Sequence, residues 1–523
     1  MVNLALGKDR YADLRKALPA QLPDYLAKQR WFGGKARQIR ATEIADAISV
    51  PGAAALLLIV KVCYATGSDE MYAVPVVGSE GDASDLRIQA DGGRSSIGLK
   101  DALSEPRFLS ALLELIHAQS TVEGERGTLR GRRTSAYSAL APSTPGSLTP
   151  KALRAEQSNT SVVYGDRLIL KLFRKLEEGT NPDLEVGAFL TEIADFKNIP
   201  QLAGSLEYRS RDDKIMVQGI LQAFVPNQGD AWHYTLTSLG EFYSGLKEQF
   251  KDRSRAAIPE GKNAPVSGSA GSALESYSQS AKVLGRRTAE MHLALSTDSQ
   301  NPAFVPEPFA TEYQSALLRS LVELTERILG QLREKLGSLP AETQAKALVL
   351  SGKENEILAR FRSTLSGPLH ALRTRIHGDY HLGQVLFTGS DFVIIDFEGE
   401  PARPLSERRL KRSPLQDVAG MLRSFHYAAF SPLLGADAMK ADDVSRLSPW
   451  AEFWNARISA DFLEAYLTEC GHSAFLPKNH SELQSLLELH LLEKAVYELG
   501  YELNNRPGWV GIPVEGIGKL LSS

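Results

Sequence analysis

The sequence predicts an α+β protein with two lobes, the first rich in strands and the second mainly helical. Two observations support this class. Strand-like runs at 156–164 and 168–173 flank Gly165-Asp166, which is a strong hairpin signal. After residue 230, apolar residues recur at spacings of three and four, as they do in amphipathic helices. A chain of 523 residues also exceeds the size of one compact core, so we expect more than one domain.

Changes in composition mark the predicted domain boundaries. Residues 123–135 are basic and polar, and residues 142–150 are rich in Ser, Thr, Pro and Gly, which is typical of a junction. We therefore expect an N-terminal subdomain at 1–125, a strand-rich lobe at 126–225 and a mainly helical lobe at 226–523.

Hydrophobic periodicity predicts the individual elements. Strands are expected at 56–64 and 71–77, and a strand pair at 214–219 and 220–225. Residues 256–272 consist mostly of Gly, Ser, Ala and Pro, which favours a loop. Helices are expected at 109–118, 232–250, 276–296, 311–336, 341–366 and 481–504.

Bulk properties argue against several classes of protein. The formal net charge of −4 gives no electrostatic reason to expect a nucleic acid partner. Cys63 and Cys470 form no metal or redox pattern, so we expect no disulfide framework and a cytoplasmic location. Charged residues near the amino terminus argue against a signal peptide. The longest apolar run, 53–60, is too short to cross a membrane, which takes roughly 20 residues.

The cluster Trp31-Phe32-Gly33-Gly34-Lys35 has two interpretations. We favour a glycine turn with two aromatic residues that anchor a small core. A phosphate site at the two glycines and the lysine would need a strand before it and a helix behind it, and neither is clear in the sequence.

The strongest chemical signal lies at 377–387, which reads His-Gly-Asp-Tyr-His-Leu-Gly-Gln-Val-Leu-Phe. Asp379 follows a short strand-like run, and Asp396 ends an apolar run that predicts a strand. Phosphoryl transfer needs a group that orients a hydroxyl and ligands that hold Mg²⁺ against phosphates. We therefore predict Asp379 as the base of a kinase that uses ATP and Mg²⁺. Gln384, Asp396 and Glu398 carry the oxygen ligands that Mg²⁺ prefers.

Two further residues near this stretch are assigned supporting roles. His377 is interpreted as a buried histidine that orients its neighbours. Asp417 opens a predicted helix, and its carboxylate is expected to brace the catalytic loop from behind.

A lysine and a glutamate earlier in the chain fit the same chemistry. Lys171 lies in a predicted strand, and Glu185 lies at the start of a helix that Asn181 caps and Pro182 begins. In kinases such a lysine contacts the α and β phosphates and is held by a helix glutamate. A lysine on a strand edge is the alternative reading, and the order of the motifs favours the kinase one.

Other nucleotide contacts are predicted around the first hairpin and at the junction between the lobes. The polar turn Ser158, Asn159, Thr160 and Ser161 occupies the position of a phosphate-covering loop. Because it is not rich in glycine, an ordinary connecting turn remains an alternative. Backbone groups between Gln222 and Phe224 are the candidates for adenine.

Five segments, 156–171, 181–186, 377–386, 395–401 and 414–427, together resemble bacterial maltokinases, including kinase domains fused to trehalose synthase. These kinases belong to the aminoglycoside-phosphotransferase and protein-kinase-like fold. The 31–35 cluster resembles their amino-terminal cap. The resemblance implies a two-lobed protein-kinase-like fold with a cap, and phosphorylation of maltose at its anomeric hydroxyl to give maltose 1-phosphate for α-glucan synthesis. It also implies trehalose synthase as a possible partner.

The last long helix is predicted to bind the sugar. Polar and aromatic residues recur there at spacings of three and four, and such a mixture suits sugar hydroxyls and sugar faces. A solvated amphipathic helix is the alternative, and the resemblance favours the functional reading. The candidate substrate-binding residues are His381, Lys494, Tyr497, Glu498, Tyr501, Glu502, Asn505 and Trp509.

Two alternatives stay open. The phosphate-handling residues say little about the acceptor, so a kinase for another small sugar, an amino sugar or an aminoglycoside is the first. The second is a catalytically silent regulatory protein with a kinase fold, which the complete acidic set disfavours.

Overall fold

A computed structural model of the chain describes residues 8–79, 86–90, 95–142, 144–153, 159–250, 258, 261, 264–297, 300–434 and 441–522. The chain forms two compact units, Met1–Pro226 with Arg403–Leu405, and Asn227–Ala402 with Ser406–Ser523. The division lies next to the boundary predicted after residue 225. The further division of the first unit at residue 125 stays a prediction.

The first unit begins with an antiparallel sheet. Its strands are β1 Ile39–Val50, β2 Ala55–Tyr64, β3 Glu70–Ser79, β4 Leu86–Ala90, β5 Ser95–Asp101 and β11 Lys175–Leu176. Their order is β1-β2-β3-β5-β4, and β11 pairs with the start of β3. Strand β2 is a nearly continuous apolar run because both of its faces are buried. The strands expected at 56–64 and 71–77 are therefore confirmed.

A second antiparallel sheet completes the first unit. Its strands are β6 Thr121–Glu123, β7 Gly127–Arg133, β8 Pro150–Ala152, β9 Asn159–Tyr164, β10 Leu168–Phe173, β12 Leu202–Ser210 and β13 Ile215–Ala223. Their order is β6-β7-β12-β13-β10-β9-β8. The predicted hairpin is confirmed as β9 and β10, and the turn between them contains Gly165 with φ of 61°.

Helices pack against both sheets. They are α1 Lys8–Ala17, α2 Leu22–Lys28, α3 Pro106–His117, α4 Tyr137–Leu140 and α5 Pro182–Glu192. Helix α3 buries Phe108, Leu112 and Ile116 in a core that both sheets share. The 31–35 cluster forms turns, and its Phe32 is buried against Tyr72 with ring centroids 5.1 Å apart. This packing agrees with the interpretation of the cluster as an aromatic anchor.

From residue 227 onward the described chain is mainly helical, as the periodicity predicted. Many of these helices are long. Strand β14 Glu307–Pro308 pairs with β15 Leu372–Arg373, which follows α10 in the chain, and β16 Val385–Phe387 forms a hairpin with β17 Phe392–Ile394. The helices are α6 Ala231–Gln249, α7 Gly268–Leu295, α8 Thr311–Lys335, α9 Ala341–Ser351, α10 Glu354–Leu365, α11 Leu405–Arg408, α12 Leu415–Leu434, α13 Ala441–Cys470, α14 His480–Asn505 and α15 Gly511–Ser522.

Helix α14 has two faces with different roles. Leu489, Leu492, Val496, Leu499 and Leu503 are buried in a core formed with α8, α10 and α15. Because these residues recur at spacings of three and four, they occupy one side of the helix. The polar and aromatic residues between them occupy the other side.

Several predicted boundaries are wrong. The strand pair at 214–225 is one strand, β13. Gly219 lies in its middle because a Cβ there would lie 2.8 Å from the Lys171 carbonyl oxygen of the paired strand. The helix at 341–366 is two helices, α9 and α10, with a break at Gly352 and Lys353.

Other elements also differ from the sequence prediction. Strands β1 and β12 and helix α13, for example, were not predicted. Helix α7 begins at Gly268, inside the segment expected to be a loop, and much of the remainder of that segment lies outside the described residues. Among the described residues, no helix combines the length and the apolar character needed to cross a membrane.

Candidate active site

The loop that carries Asp379 is held by a carboxylate from α12. Asp417 accepts backbone hydrogen bonds from His377 at 2.7 Å and from Gly378 at 2.9 Å. Its Oδ2 also lies 3.1 Å from Nε2 of His292 on α7. Both Asp417 and His292 are fully enclosed. The predicted bracing role of Asp417 is confirmed, and its contacts fix the backbone just before Asp379.

The ionisation of Asp417 fits this role. Burial acts to raise the pKa of its carboxyl group, but the hydrogen bond from His292 and the nearby amide of Gly378 outweigh burial and lower the pKa. Asp417 is therefore a carboxylate near neutral pH, and it can accept all three hydrogen bonds.

Backbone packing also positions the loop. A Cβ at Gly420 of α12 would lie 2.5 Å from the Tyr380 carbonyl oxygen, so only glycine permits this approach. The Tyr380 hydroxyl lies 2.9 Å from Oγ1 of Thr288, and His377 donates from Nε2 to the Ile395 carbonyl at 2.8 Å. His377 is buried, as expected for an orienting residue. Asp379 thus projects from a rigid support.

Asp379 faces a cation and a histidine. Its Oδ1 lies 3.7 Å from Nζ of Lys494 on α14, and its Oδ2 lies 3.9 Å from Nε2 of His381. The Gly383 amide donates to Nδ1 of His381 at 3.0 Å, so the proton of the neutral imidazole is on Nε2, which points toward Asp379. Asp379, His381 and Lys494, which were all selected from the sequence, are therefore neighbours in the structure.

The environment keeps His381 neutral and Lys494 charged. Burial and the charge of Lys494 lower the pKa of His381 to about 4, although 39% of its side-chain surface remains exposed toward the cleft. Burial acts to lower the pKa of Lys494, but Asp379, Glu498 and Glu400 outweigh it and raise the pKa. At neutral pH, Lys494 therefore carries the positive charge beside Asp379.

The β16–β17 hairpin brings the predicted metal ligands together. The Ile395 amide donates a hydrogen bond to the Gln384 carbonyl at 3.0 Å, so Gln384 lies beside Asp396 although eleven residues lie between them in sequence. Asp396 has φ of 67°, an uncommon conformation for a residue with a side chain. One carboxylate oxygen of Asp396 lies within 4.8 Å of one from Glu398.

This donor set fits Mg²⁺. The carboxylates of Asp396 and Glu398 would supply hard oxygen ligands, with the nearby Gln384 amide as a further candidate, and Mg²⁺ commonly keeps water and phosphate oxygens as its other ligands. The left-handed conformation of Asp396 is the kind of strained backbone that is found at functional sites.

The polar face of α14 forms one wall of a cleft of about 660 Å³. Asp379 lies at one end of this wall, next to Lys494. Helices α6 and α12 and the loop after Asp396 contribute the other walls. The cleft is lined by Trp232, Asp379, His381, Gly383, Glu400, Pro401, Ala402, Gly420, Ser424, Tyr427, Lys494, Tyr497, Glu498, Tyr501, Glu502, Arg506 and Trp509.

The predicted substrate-binding residues mostly meet in this cleft. Seven of them line it, whereas Asn505 is exposed and donates to the Tyr501 carbonyl of its own helix at 2.9 Å. Asn505 lies at the end of α14 and is not part of the described lining. Because its side chain bonds to its own helix, we do not assign Asn505 a contact with the substrate.

Each acidic residue along the α14 wall has a partner. The Tyr497 hydroxyl donates to Glu400 at 2.8 Å. Arg423 donates twice to Glu498, at 2.8 and 2.6 Å. Arg506 donates twice to Glu502, at 2.9 and 2.7 Å. Burial raises the pKa of Glu502 even though the hydrogen bonds from Arg506 oppose that shift.

Sequence reasoning missed several residues of the cleft. Tyr427 and Arg506 line it, and Arg423 supports it. Arg506 follows Glu502 by four residues, a spacing that predicts an ion pair on one helix face. The other contacts join elements that are far apart in the chain, so no local pattern indicates them.

The predicted nucleotide-binding residues lie in the first unit. Lys171 is on β10, and its Nζ is 2.9 Å from Oδ2 of the buried Asp183. Sequence reasoning selected Glu185, which lies two residues further along α5. Both carboxylates are in the first turn of that helix, and sequence alone does not rank them. Asn181 caps the helix, since its side chain accepts the Leu184 amide.

The strand that precedes Lys171 contains most of the predicted phosphate-contacting turn. Asn159, Thr160 and Ser161 begin β9, and Ser161 lies directly opposite Lys171 in the sheet. Ser158 lies outside the described residues. This register places three of the predicted residues beside the strand that bears the lysine.

Backbone groups at the predicted adenine site are partly occupied. The Phe224 amide donates to the Arg167 carbonyl, and the amide after Gln222 donates to the Gln201 carbonyl, both at 2.8 Å. Gln222 itself lies in β13, between Ile169 and Leu202. Since these two amides are already bonded, other groups of this segment would have to donate hydrogen bonds to adenine.

Comparison with known proteins finds similarity to a maltokinase cap domain and to glucosamine kinases. Residues 25–99 match the maltokinase N-terminal cap domain. Glucosamine kinase from Streptacidiphilus jiangxiensis is 22% identical over 373 residues, which cover 71% of this chain and 73% of that protein. Glucosamine kinase from Mycolicibacterium smegmatis is 24% identical over 381 residues, which cover 71% of this chain and 79% of the relative.

Solved structures show the same fold. A glucosamine kinase in its crystal form B aligns over 97% of this chain and 99% of its own, with a TM-score of 0.62 and 18% identity. A glucosamine kinase in complex with glucosamine, ADP and inorganic phosphate aligns over 95% and 98%, with a TM-score of 0.60. The predicted α+β, kinase-like fold with an amino-terminal cap is therefore confirmed.

Proposed function

We propose that the protein is an ATP-dependent kinase that phosphorylates a hydroxyl group of a small sugar. Support comes from the grouping of Asp379, Lys494 and a sugar-sized cleft in one unit, and from the ion pair that orients Lys171 in the other. Lys171 contacts the phosphates of ATP. Gln384, Asp396 and Glu398 would hold Mg²⁺, which would neutralise charge on the phosphates.

Asp379 acts as the general base in this reaction. Its carboxylate accepts the proton of the acceptor hydroxyl while the hydroxyl oxygen attacks the γ-phosphorus of ATP. Asp417 and His377 hold the loop, so the carboxylate is positioned before the acceptor binds. Neutral His381 presents Nε2–H to the same carboxylate from the other side.

Maltose is the acceptor that we propose, and the observation that carries this choice is the length of the α14 wall. Residues that line the cleft run from Lys494, beside Asp379, to Glu502. Eight residues of helix span about 12 Å, which exceeds the length of one sugar ring. With the anomeric hydroxyl at Asp379, the second ring lies along Tyr501 and Glu502. The product is maltose 1-phosphate, and the match to the maltokinase cap supports the choice.

Glucosamine is a second candidate acceptor. The two relatives described above bear that name. The cleft offers a carboxylate for an ammonium group, since Glu400 bonds to a neutral tyrosine hydroxyl rather than to a guanidinium group. A single hexosamine would occupy only the half of the α14 wall nearest Asp379.

An acceptor panel tests the proposal. The purified protein is incubated with Mg-ATP and maltose, glucose, glucosamine, trehalose or an aminoglycoside, and phosphorus NMR identifies the product. We expect maltose 1-phosphate. Glucosamine phosphate as the main product would favour the second candidate. If ATP binds but no acceptor is phosphorylated, the protein is a silent member of the fold and the proposal is wrong.

Replacement of Lys171 tests the nucleotide assignment. In Lys171→Met the phosphates lose a charged hydrogen-bond donor, an interaction of about 1.5–3 kcal/mol, so kcat/KM for ATP is expected to fall about 10- to 100-fold. Lys175→Met is the matched control, because Lys175 also lies on a strand of this unit but pairs with Glu70 and is exposed. Unchanged steady-state kinetics for ATP in Lys171→Met would contradict the assignment.

A further inference from the structure

Phosphoryl transfer develops negative charge around the acceptor oxygen and the transferred group, and enzymes place cations there. Three candidates line the described cleft: His381, Lys494 and Arg506. His381 is neutral near pH 7 because burial and the charge of Lys494 lower its pKa to about 4. Arg506 is bound to Glu502 and lies twelve residues beyond Lys494, about 18 Å along the helix. Lys494 is therefore the cation of the cleft lining that lies at the reacting end.

Lys494 is held there as an ammonium ion. Its side chain is 26% exposed, and an enclosed lysine without partners would lose its proton. The carboxylates of Asp379, Glu498, Glu400 and Glu493 oppose this loss and raise its pKa. Its Nζ also lies 5.0 Å from the centre of the Tyr497 ring, a cation–π distance. The protein thus maintains a charged lysine in a largely enclosed position.

The separation of Lys494 and Asp379 indicates what lies between them. A distance of 3.7 Å is too long for a direct hydrogen bond. It suits one oxygen atom that is about 2.8 Å from each group, accepting from the ammonium and donating to the carboxylate. We propose that this oxygen is the attacking hydroxyl of the acceptor and that Lys494 is a catalytic residue. The inference rests on the function proposed above.

In the proposed step, one proton and one phosphoryl group change places of attachment. The acceptor O–H bond breaks, and its proton moves to the Asp379 carboxylate. A bond forms between the acceptor oxygen and the γ-phosphorus, and the bond from that phosphorus to the bridging oxygen breaks, so that ADP leaves with the electron pair. Lys494 keeps its proton throughout. Its ammonium group lowers the energy of the negative charge that develops on the acceptor oxygen as the O–H bond weakens.

Replacement of Lys494 distinguishes a catalytic role of this residue from a role in sugar binding alone. In Lys494→Met, kcat for sugar phosphorylation is expected to fall about 10²- to 10³-fold, as when one charge-stabilising donor is removed. The KM for the sugar is expected to change much less, since the cleft keeps its other contacts. Lys353→Met is the control, because Lys353 pairs with Glu356 on the surface of the same unit. A Lys494→Met protein with normal kcat and a raised KM would show a binding role only and overturn the inference.

Chemical rescue guards against misfolding of the variant. Lys494→Cys is treated with 2-bromoethylamine, which converts its thiol into a side chain close to lysine in length and charge. Cys63 and Cys470 are both buried, and treated wild-type protein controls for any reaction there. Recovery of kcat supports the inference, and a folded, fully modified protein without recovery overturns it. If wild-type protein phosphorylates no sugar, the proposed function fails and this inference with it.

Discussion

Asp379→Asn is expected to reduce kcat for sugar phosphorylation by about 10³-fold, while the affinities for ATP and sugar change little. An amide matches the carboxylate in shape but does not accept the proton of the attacking hydroxyl, and general-base catalysis contributes about 10²- to 10⁴-fold. The surroundings of the residue stay intact because its loop is held through the backbone by Asp417. Steady-state kinetics with binding by calorimetry measures both parts of this expectation.

Asp391→Asn is the matched control for this change. Asp391 lies in the neighbouring β16–β17 hairpin and forms an ion pair with Arg287 at 2.8 Å. Its replacement removes a carboxylate from the same part of the chain without touching the cleft lining, so kcat should stay within a few-fold of wild type. If Asp379→Asn turned over sugar at the wild-type rate, the assigned base would be wrong.

The sequence predicted the fold class, which is confirmed, and it suggested a candidate reacting loop, because both leave local patterns. Alternating and helical periodicities separate the strand-rich part from the helical part, and Asp379, Gln384 and Asp396 lie within twenty residues of one another. The hairpin that joins Gln384 to Asp396 is also local in sequence, although only its second strand was predicted. Where periodicity was interrupted by tertiary contacts, as at Gly219 against Lys171, the strand boundary was wrong.

The remaining parts of the candidate site depend on long-range packing. Asp183 and Glu185 both lie in the first turn of α5, and only the structure shows that Asp183 contacts Lys171. Glu400 and Tyr427 enter the cleft from elements far from α14 in sequence. A single sequence gives periodicity and spacing, which locate a helix face but do not identify the residues that pack against it.

Asp417→Asn is expected to lower both stability and kcat. The carboxylate accepts hydrogen bonds from two backbone N–H groups and from His292. An asparagine side chain would turn its NH₂ group toward one of these donors. A buried unsatisfied donor costs about 1–3 kcal/mol, which is the expected loss in the free energy of unfolding at pH 7. Because the same two amides precede Asp379, kcat is expected to fall at least 10-fold.

The pH dependence and a second buried aspartate distinguish this loop-bracing role from general destabilisation. The pKa of Asp417 is lowered in the folded state. Its carboxylate therefore stabilises the folded protein above the unfolded-state pKa of about 3.9, and this stabilisation is lost as the pH falls below that value toward the folded-state pKa. Wild type and Asp417→Asn should therefore converge in stability under acid.

Asp461 is the matched control. It is buried on α13, and its hydrogen bonds to Arg457 and Ser278 lie away from the loop that carries Asp379. Asp461→Asn should lose stability but keep kcat, and an equal loss of kcat in both variants would contradict the bracing role.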